Sequence, residues 1–382
     1  MAQTARELQA STCKALVRPQ PGDAPLTGMT PVVNSHTEWD PLEEVIVGRA
    51  EHACVPQWHP VLQATMPEKH WDFFRENGGR LFPGETLRAA ERELEDFCRE
   101  LEQQGVTVRR PDALDWRETY RTPDFEEETG LYSAMPRDLL LVVGDEIIEA
   151  PMAWRSRLFE SRAYRALIKE YFHKGARWTA APKPQLGEET FAPRPDGDYD
   201  LQAGRCVITE FEPLFDAADF SRCGRDIFCQ ITQVTNQFGI EWLCRHLGED
   251  YRVHVLEVDD PNAMHIDASF VPLAPGRVML HPTRVPDLPD MFRDWEVLRA
   301  PAPTVPVSHP FYFSSSWLLV NVLSLDKTRV CVEAAEQPMI DFLRENGFEP
   351  IPVPFRNFGS LGGAFHCATC DIRRTGTLQS YF

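Results

Sequence analysis

The chain has 382 residues, with 39 Lys and Arg against 58 Asp and Glu and a formal net charge of −19. Charged residues at 25% and hydrophobic ones at 43% are the proportions of a globular chain, not of a disordered one. The acid excess, with no basic cluster, excludes a nucleic-acid binder, and no apolar run approaches the roughly 18 residues of a membrane span.

The opening stretch MAQTARELQASTCKALVRPQPGDAP has no apolar core and so does not read as a secretory leader. Ten cysteines without regular spacing, several inside apolar runs, point to free thiols in a reducing, cytoplasmic setting. EEVIVG (43–48) is the first strand candidate. From Thr86 to Gln104, Leu87, Ala90, Leu94, Phe97 and Leu101 recur at helical steps, until Gly105 stops the helix and GVTVRR starts a strand. DLLLVVGDEII (138–148) is a further strand candidate. A second helix over 161–174, with Tyr164, Leu167, Ile168, Tyr171 and Phe172 on one side, gives way at Gly175 to ARWTAAP. CVITEF (206–211) reads as another strand. A third helix from about Asn236 to Leu247 precedes YRVHVLEV. GRVML (276–280) is followed by a weaker helix over 288–294 and by WEVLRAP. TRVCVEA (328–334) is followed by a helix opening on Pro338, a residue suited to the first helical turn, and by FEPIPVP.

Five helix-to-strand steps with no Ser/Gly-rich linker between them predict one large α/β body. The breaks near 105, 175, 248, 294 and 347 are too uneven for a solenoid. A doubly wound sheet is the rival, but its G-x-G-x-x-G turn is absent. A closed ring of five α/β units is preferred, although periodicity alone does not separate ring from sheet.

Polar residues concentrate in SAMPRD (133–138), EPLFDAADF (212–220), PNAMHIDASF (261–270) and LGGAFHCATCD (361–371). They supply Asp138, Asp216, Asp219, His265, Asp267, His366, Cys367 and Cys370. HCATC is open to four readings: nucleophile, inert core thiol, half a metal site or redox pair. No second C-x-x-C completes a zinc set, and the chain end lacks the helical stripe of a catalytic dithiol, so the nucleophile leads. His265 and Asp267 alternate, which in a strand turns both toward one pocket, while a satisfied structural histidine is the plainer alternative. Asp216 and Asp219 either orient a histidine or bond backbone amides, and MPRD also fits a salt bridge at a strand start. Together these groups suit a guanidinium. Its planar fork of N–H donors matches paired carboxylates, and a soft thiolate can attack its poorly electrophilic carbon.

At these residues, and over EWDPLEEVIVGRAEHACVP (38–56), GVTVRRPDALDW, EIIEAPMAWRSR, EFEPLFDAADFSRCGRDIF and SLGGAFHCATCDIRRTGTLQSYF, the chain resembles the glycine amidinotransferase family of the pentein guanidine-modifying superfamily. The resemblance starts at residue 38, leaving 1–37 as a poorly ordered extension and 38–382 as a single catalytic domain. It implies a five-bladed pseudo-symmetric α/β propeller with a central active-site channel, a homodimer, and no cofactor or metal. Cys367, not Cys370, matches the family's nucleophile; His265 matches its general acid/base, supported by Asp216. Asp138 and Asp267 match the guanidinium-binding carboxylates, and Arg284 and Ser315 match groups that hold the amino-acid portion of the substrate. Asn262 and Met264 match the residues that flank the histidine in glycine-using members, where they make the acceptor pocket small.

The implied reaction is ping-pong transfer from L-arginine, through an amidino-cysteine, to glycine, releasing L-ornithine and then guanidinoacetate, the precursor of creatine. Lysine, an ω-amino acid or a specialised-metabolite amine is the alternative acceptor. Two departures from the family pattern bear on that choice: Ala263 stands in place of a proline, freeing the loop backbone, and the 181–205 segment is short.

Overall fold

The computed structural model describes residues 31–382 apart from 261, 307, 311, 312, 314 and 315. Among the described residues are five three-stranded sheets and one two-stranded ribbon. Each of the five has a central strand paired antiparallel on one side and parallel on the other. Leu42–Val47 lies between Thr369–Arg374 and Thr107–Arg109. Glu146–Glu149 lies between Leu140–Val143 and Arg177–Ala180. Asp226–Cys229 lies between Phe220–Cys223 and Arg252–Val255. Arg277–Leu280 lies between Phe270–Ala274 and Glu296–Arg299, and Arg329–Glu333 between Leu323–Ser324 and Glu349–Val353.

A helix precedes the parallel strand in four of these units: Gly84–Gln103, Ser161–His173, Gln237–Leu247 and Gln337–Glu345. The first buries the whole stripe read from its spacing, with Leu87, Ala90, Leu94, Phe97 and Leu101 facing the core; in the second Tyr164, Leu167, Ile168 and Tyr171 are buried but Phe172, expected on that side, is exposed. Gly105 follows that helix at φ +87°, a conformation that costs glycine nothing and lets the chain turn straight into its strand. The weak helix expected over 288–294 is a single 3-10 turn, Asp290–Phe292. Pro289, immediately before it, has no N–H and sets the start of that turn.

CVITEF forms no strand, only an isolated bridge from Ile208 to Phe191. The hairpin of that unit is Phe220–Cys223 with Asp226–Cys229, where Arg222 and Asp226 are fully buried. Charged residues in both strands hid the hairpin from an apolar pattern. The domain boundary also moves. Val33, Ser35 and Thr37 are buried, and the Asn34 N–H donates to the Ile372 carbonyl at 2.9 Å, so residues 32–37 belong to the body. The remainder of the expected extension, 1–30, lies outside the described residues.

The first strand of each unit is entered through one short helical turn. Pro136–Leu139 leads into Leu140–Val143, Ala217–Asp219 into Phe220–Cys223, Ile266–Ala268 into Phe270–Ala274, and Ser316–Val320 into Leu323–Ser324. Phe358–Leu361 and a tight loop lead into Thr369–Arg374. The turn 136–139 touches 217–219, which touches 266–268, which in turn touches 316–320.

Beneath these turns lies a buried ionic network. Arg222 grips Glu38 with two bonds of 2.8 Å and reaches Asp371 at 2.8 Å. Asp371 also accepts from Arg137 at 2.6 Å and Arg374 at 2.8 Å. Removing charges from water is costly, and the cost is offset here by near-complete pairing.

Candidate active site

Cys367 sits where the loop after Phe358–Leu361 meets the last strand. The long first helix fixes that loop: Glu93 accepts the Phe358 N–H at 2.8 Å, and Phe97 stands edge-on to Phe355 and Phe365. Gly363 permits the close approach, since a Cβ there would lie 2.7 Å from the Cβ of Cys367. The Cys367 N–H donates to the Asn321 side chain at 3.1 Å, and Sγ lies 3.5 Å from Asp267 Oδ2. Burial, reinforced by Asp267, pushes the thiol up to about 12.

His265 Nε2 is 3.0 Å from Asp216 Oδ2, and Nδ1 is 3.7 Å from Asp138 Oδ1. Burial opposes the charged ring, but Asp138, Asp216 and Cys367 together outweigh it and hold His265 protonated well above its usual range. Burial raises Asp138, whose Oδ2 accepts from Arg157 at 2.9 Å. Burial also acts on Asp267, but the bond from His366 Nδ1 at 2.7 Å outweighs it and keeps this carboxyl below the usual range. Carboxylate, imidazole and thiol atoms of Asp138, His265 and Cys367 come within 4.8 Å of one another. Those donor types suit a divalent ion as well as a cationic substrate.

Three oxygens complete the picture. Oδ1 of Asp138, of Asp216 and of Asp267 are each buried without a hydrogen-bond partner. Orphaned carboxylate oxygens are expensive in a folded chain, and those of Asp138 and Asp267, the two carboxylates set beside the thiol, describe a place for a cation rich in N–H donors.

Asp219, the other half of the 216/219 pair, is not in this group. It accepts from Gln230, Thr232 and Thr235, and Thr235 in turn receives the Asp216 N–H at 3.1 Å, so Asp219 braces Asp216 from behind. Cys370 is buried on the strand, with its thiol toward the Leu140 carbonyl at 3.4 Å.

Above the floor opens a cleft of about 330 Å³, lined among others by Thr65, Met264, Arg284, Phe313 and Trp317. Arg284 pairs with Asp260 at 3.1 Å. Asn262 donates from its side chain to the Ala64 carbonyl at 3.0 Å and from its backbone to Asp260. Ala263 is buried; its N–H donates to the Asp260 carbonyl at 3.2 Å and its carbonyl accepts from Gln233 at 3.0 Å. A proline could not supply that first bond, so the loop is fastened where its ring would have stiffened it. No residue of 181–205 is among the described lining of the cleft. Ser315 lies outside the described residues. Sequence reasoning gave no role to Glu38, Asn321, Arg157 and Glu160, which hold the reactive groups from behind; Glu38 and Arg157 stand in strings that carry the resemblance, but nothing in those strings marks a supporting role.

No family model matches the chain. It is 53% identical over 362 residues to the mitochondrial glycine amidinotransferase of Gallus gallus, covering 92% of this chain and 85% of that protein. It is 52% identical over 352 residues to the L-arginine:L-lysine amidinotransferase of Pseudomonas savastanoi pv. phaseolicola, covering 92% and 97%. Among solved structures, an amidinotransferase of the saxitoxin biosynthetic pathway from Microseira wollei superposes with a TM-score of 0.85 at 47% identity, covering 92% and 99%. The cytoplasmic setting expected from the sequence is corrected by the Gallus relative, which is mitochondrial. Free thiols and the lack of a secretory core do not single out the cytoplasm.

Proposed function

The chain belongs to the amidinotransferase family, and from that premise we propose that it moves the amidino group of L-arginine to glycine through a covalent intermediate on Cys367. The oxygens of Asp138 and Asp267 that lack a hydrogen bond beside the thiol carry this reading. Asp138 and Asp267 hold the guanidinium flat. Its positive charge offsets the anionic surroundings that help keep the thiol at about 12, favouring the thiolate.

The thiol proton passes to solvent as arginine binds; the thiolate sulfur then bonds to the guanidinium carbon, and His265, already protonated, gives its proton to the departing nitrogen. The C–N bond breaks, ornithine leaves and an amidino-thioether cation remains. Glycine enters as the free amine, attacks the same carbon and loses a proton to His265; the C–S bond breaks and guanidinoacetate departs. Asp216 keeps the imidazole oriented through both halves.

The string of touching turns, joined to the last blade by the bond that the Cys367 N–H donates to Asn321, supports a ring of five α/β blades around this centre. A homodimer that needs neither metal nor organic cofactor belongs to the same proposal. Its expected outcomes are the mass of two chains in light scattering and full activity after chelation and dialysis.

The fastened 262–264 loop, with Met264 in the cleft, supports a small acceptor. The Arg284–Asp260 pair favours a second reading. A cation and an anion side by side suit the head of a longer amino acid such as lysine, the co-substrate in the name of the Pseudomonas relative. Initial rates at saturating arginine with glycine, lysine, 4-aminobutanoate and an aminocyclitol phosphate separate the two, with products identified by mass. Glycine is expected to give the highest kcat/KM. A higher value for lysine moves the assignment to the second reading, and transfer to none of them overturns both.

A further inference from the structure

His366 stands next to the nucleophile, yet the reaction just described gives it no work. It is buried, with Nδ1 2.7 Å from Asp267 Oδ2 and Nε2 3.1 Å from Glu38 Oε2. A neutral imidazole has one N–H and one lone pair, so it can satisfy only one of two flanking carboxylates; an imidazolium satisfies both. Asp267 Oδ2 is also the atom that the Cys367 sulfur approaches at 3.5 Å. One oxygen therefore lies between the His366 ring and the reactive thiol.

We propose that His366 is a positioning residue for the nucleophile: held as an imidazolium between Glu38 and Asp267, it fixes the orientation of the Asp267 carboxylate and offsets its charge where that carboxylate meets the thiol. This rests on the reading of Cys367 as nucleophile.

The charged groups around the ring come from every element packed on it. Asp267 belongs to the turn 266–268, and Glu38 to the segment before Leu42–Val47. Arg137, on Pro136–Leu139, directs Nε toward the His366 carbonyl at 3.4 Å. Arg222, on Phe220–Cys223, bonds both oxygens of Glu38, including the Oε2 that faces His366. Burial and Arg137 oppose a charged ring, and the two carboxylates outweigh them, raising His366 above its usual range. Glu38 stays ionised because Arg222 and His366 outweigh its burial. His366 thus links the fully paired network to the site above it. Without it, the Asp267 charge would act on Cys367 uncompensated and oppose the thiolate.

The test compares the unmodified chain with His366→Gln by the pH dependence of Cys367 alkylation with iodoacetamide, without substrate, mapped by peptide mass spectrometry. Below the thiol's midpoint the rate follows the thiolate fraction, so a rise of one pKa unit slows alkylation about tenfold at fixed pH. The expected result is that slowing or more, together with a fall in kcat for arginine–ornithine exchange larger than any change in KM. An unchanged alkylation profile in a folded His366→Gln protein overturns the proposal. Nitrogen-15 histidine spectra of the unmodified chain decide the matter even if the variant does not fold. Both ring nitrogens of His366 are expected to carry protons at neutral pH, and a neutral ring there overturns the proposal. Exchange persisting in Cys367→Ala would instead overturn the reading of the nucleophile, a result distinct from either of these.

Discussion

Two groups of buried carboxylates lie on either side of His366, and they are kept in opposite states. Below it, Asp371 accepts from Arg137, Arg222 and Arg374, and Glu38 is gripped by Arg222. Above it, Asp138, Asp216 and Asp267 each keep one oxygen with no hydrogen-bond partner. The same side chain, buried in the same core, is structural in one place and ready for a ligand in the other. Each upper carboxylate meets one cation of the chain, from Arg157, His265 or His366, so the difference is whether the fold fills every oxygen. A network completed by its own arginines holds the chain together; one left with open oxygens is a binding site, and the chain carries the cost until substrate arrives.

The largest expected effect comes from removing the thiol at the open end of this contrast. Cys367→Ala is expected to abolish arginine–ornithine exchange while circular dichroism and the unfolding midpoint stay those of the parent. A single amidino adduct on the unmodified chain is expected to map to Cys367 by mass spectrometry; an adduct on Cys370 would contradict the assignment.

At the closed end, Asp371→Asn leaves three buried guanidiniums short of an anion. The expected loss is about 3–5 kcal/mol, read from urea unfolding. A loss below about 1 kcal/mol, the range of an exposed pair, would erase the contrast.

Asp138→Asn is the crossover experiment. Losing a contact to the reacting group is expected to slow exchange on the order of 10–1,000-fold. The unfolding midpoint is expected to hold or rise, because burial already disfavours that carboxylate in its charged form. A marked loss of stability would place Asp138 with the structural carboxylates.

The smallest effect lies in the pH dependence of stability. Burial acts against Glu38 and Asp371, but their arginine partners outweigh it and depress both when folded. Their contribution is therefore complete above the unfolded carboxylate pKa and is lost as pH falls through the folded one. Asp138, raised when folded, has the opposite sign: its contribution is present at low pH and lost as pH climbs. Parent stability is expected to decline below about pH 4, and Asp138→Asn to gain more over the parent at about pH 8 than at about pH 5. An equal gain at both values would show that Asp138 does not titrate differently on folding.

The same contrast explains what could be read from the sequence. Gly84–Gln103 and Ser161–His173 were legible because their buried faces are apolar and regular. The Phe220–Cys223 hairpin was not, because its interior is ionic: Arg222 has no apolar signature until Glu38, from a segment 184 residues away, is placed beside it. Cys367, His265, Asp138, Asp216 and Asp267 could be nominated from residue chemistry and resemblance. Asn321 and Arg157 could not, since each acts by holding another residue through a long-range contact. The misplaced boundary at 38 has the same origin, for Ser35 and Thr37 are polar residues made internal by partners far along the chain.

One sheet is sewn from distant parts of the polypeptide: Leu42–Val47 pairs directly with Thr369–Arg374, and the nucleophile lies two residues before the second of these strands. In chain order the other four sheets have all their strands before Thr369–Arg374 is reached, so Leu42–Val47 stays without its antiparallel partner while they are laid down. The pairing that closes this sheet also sets the sulfur in place: until the two strands meet, the groups that would hold a guanidinium and the group that would attack it have nothing to align them.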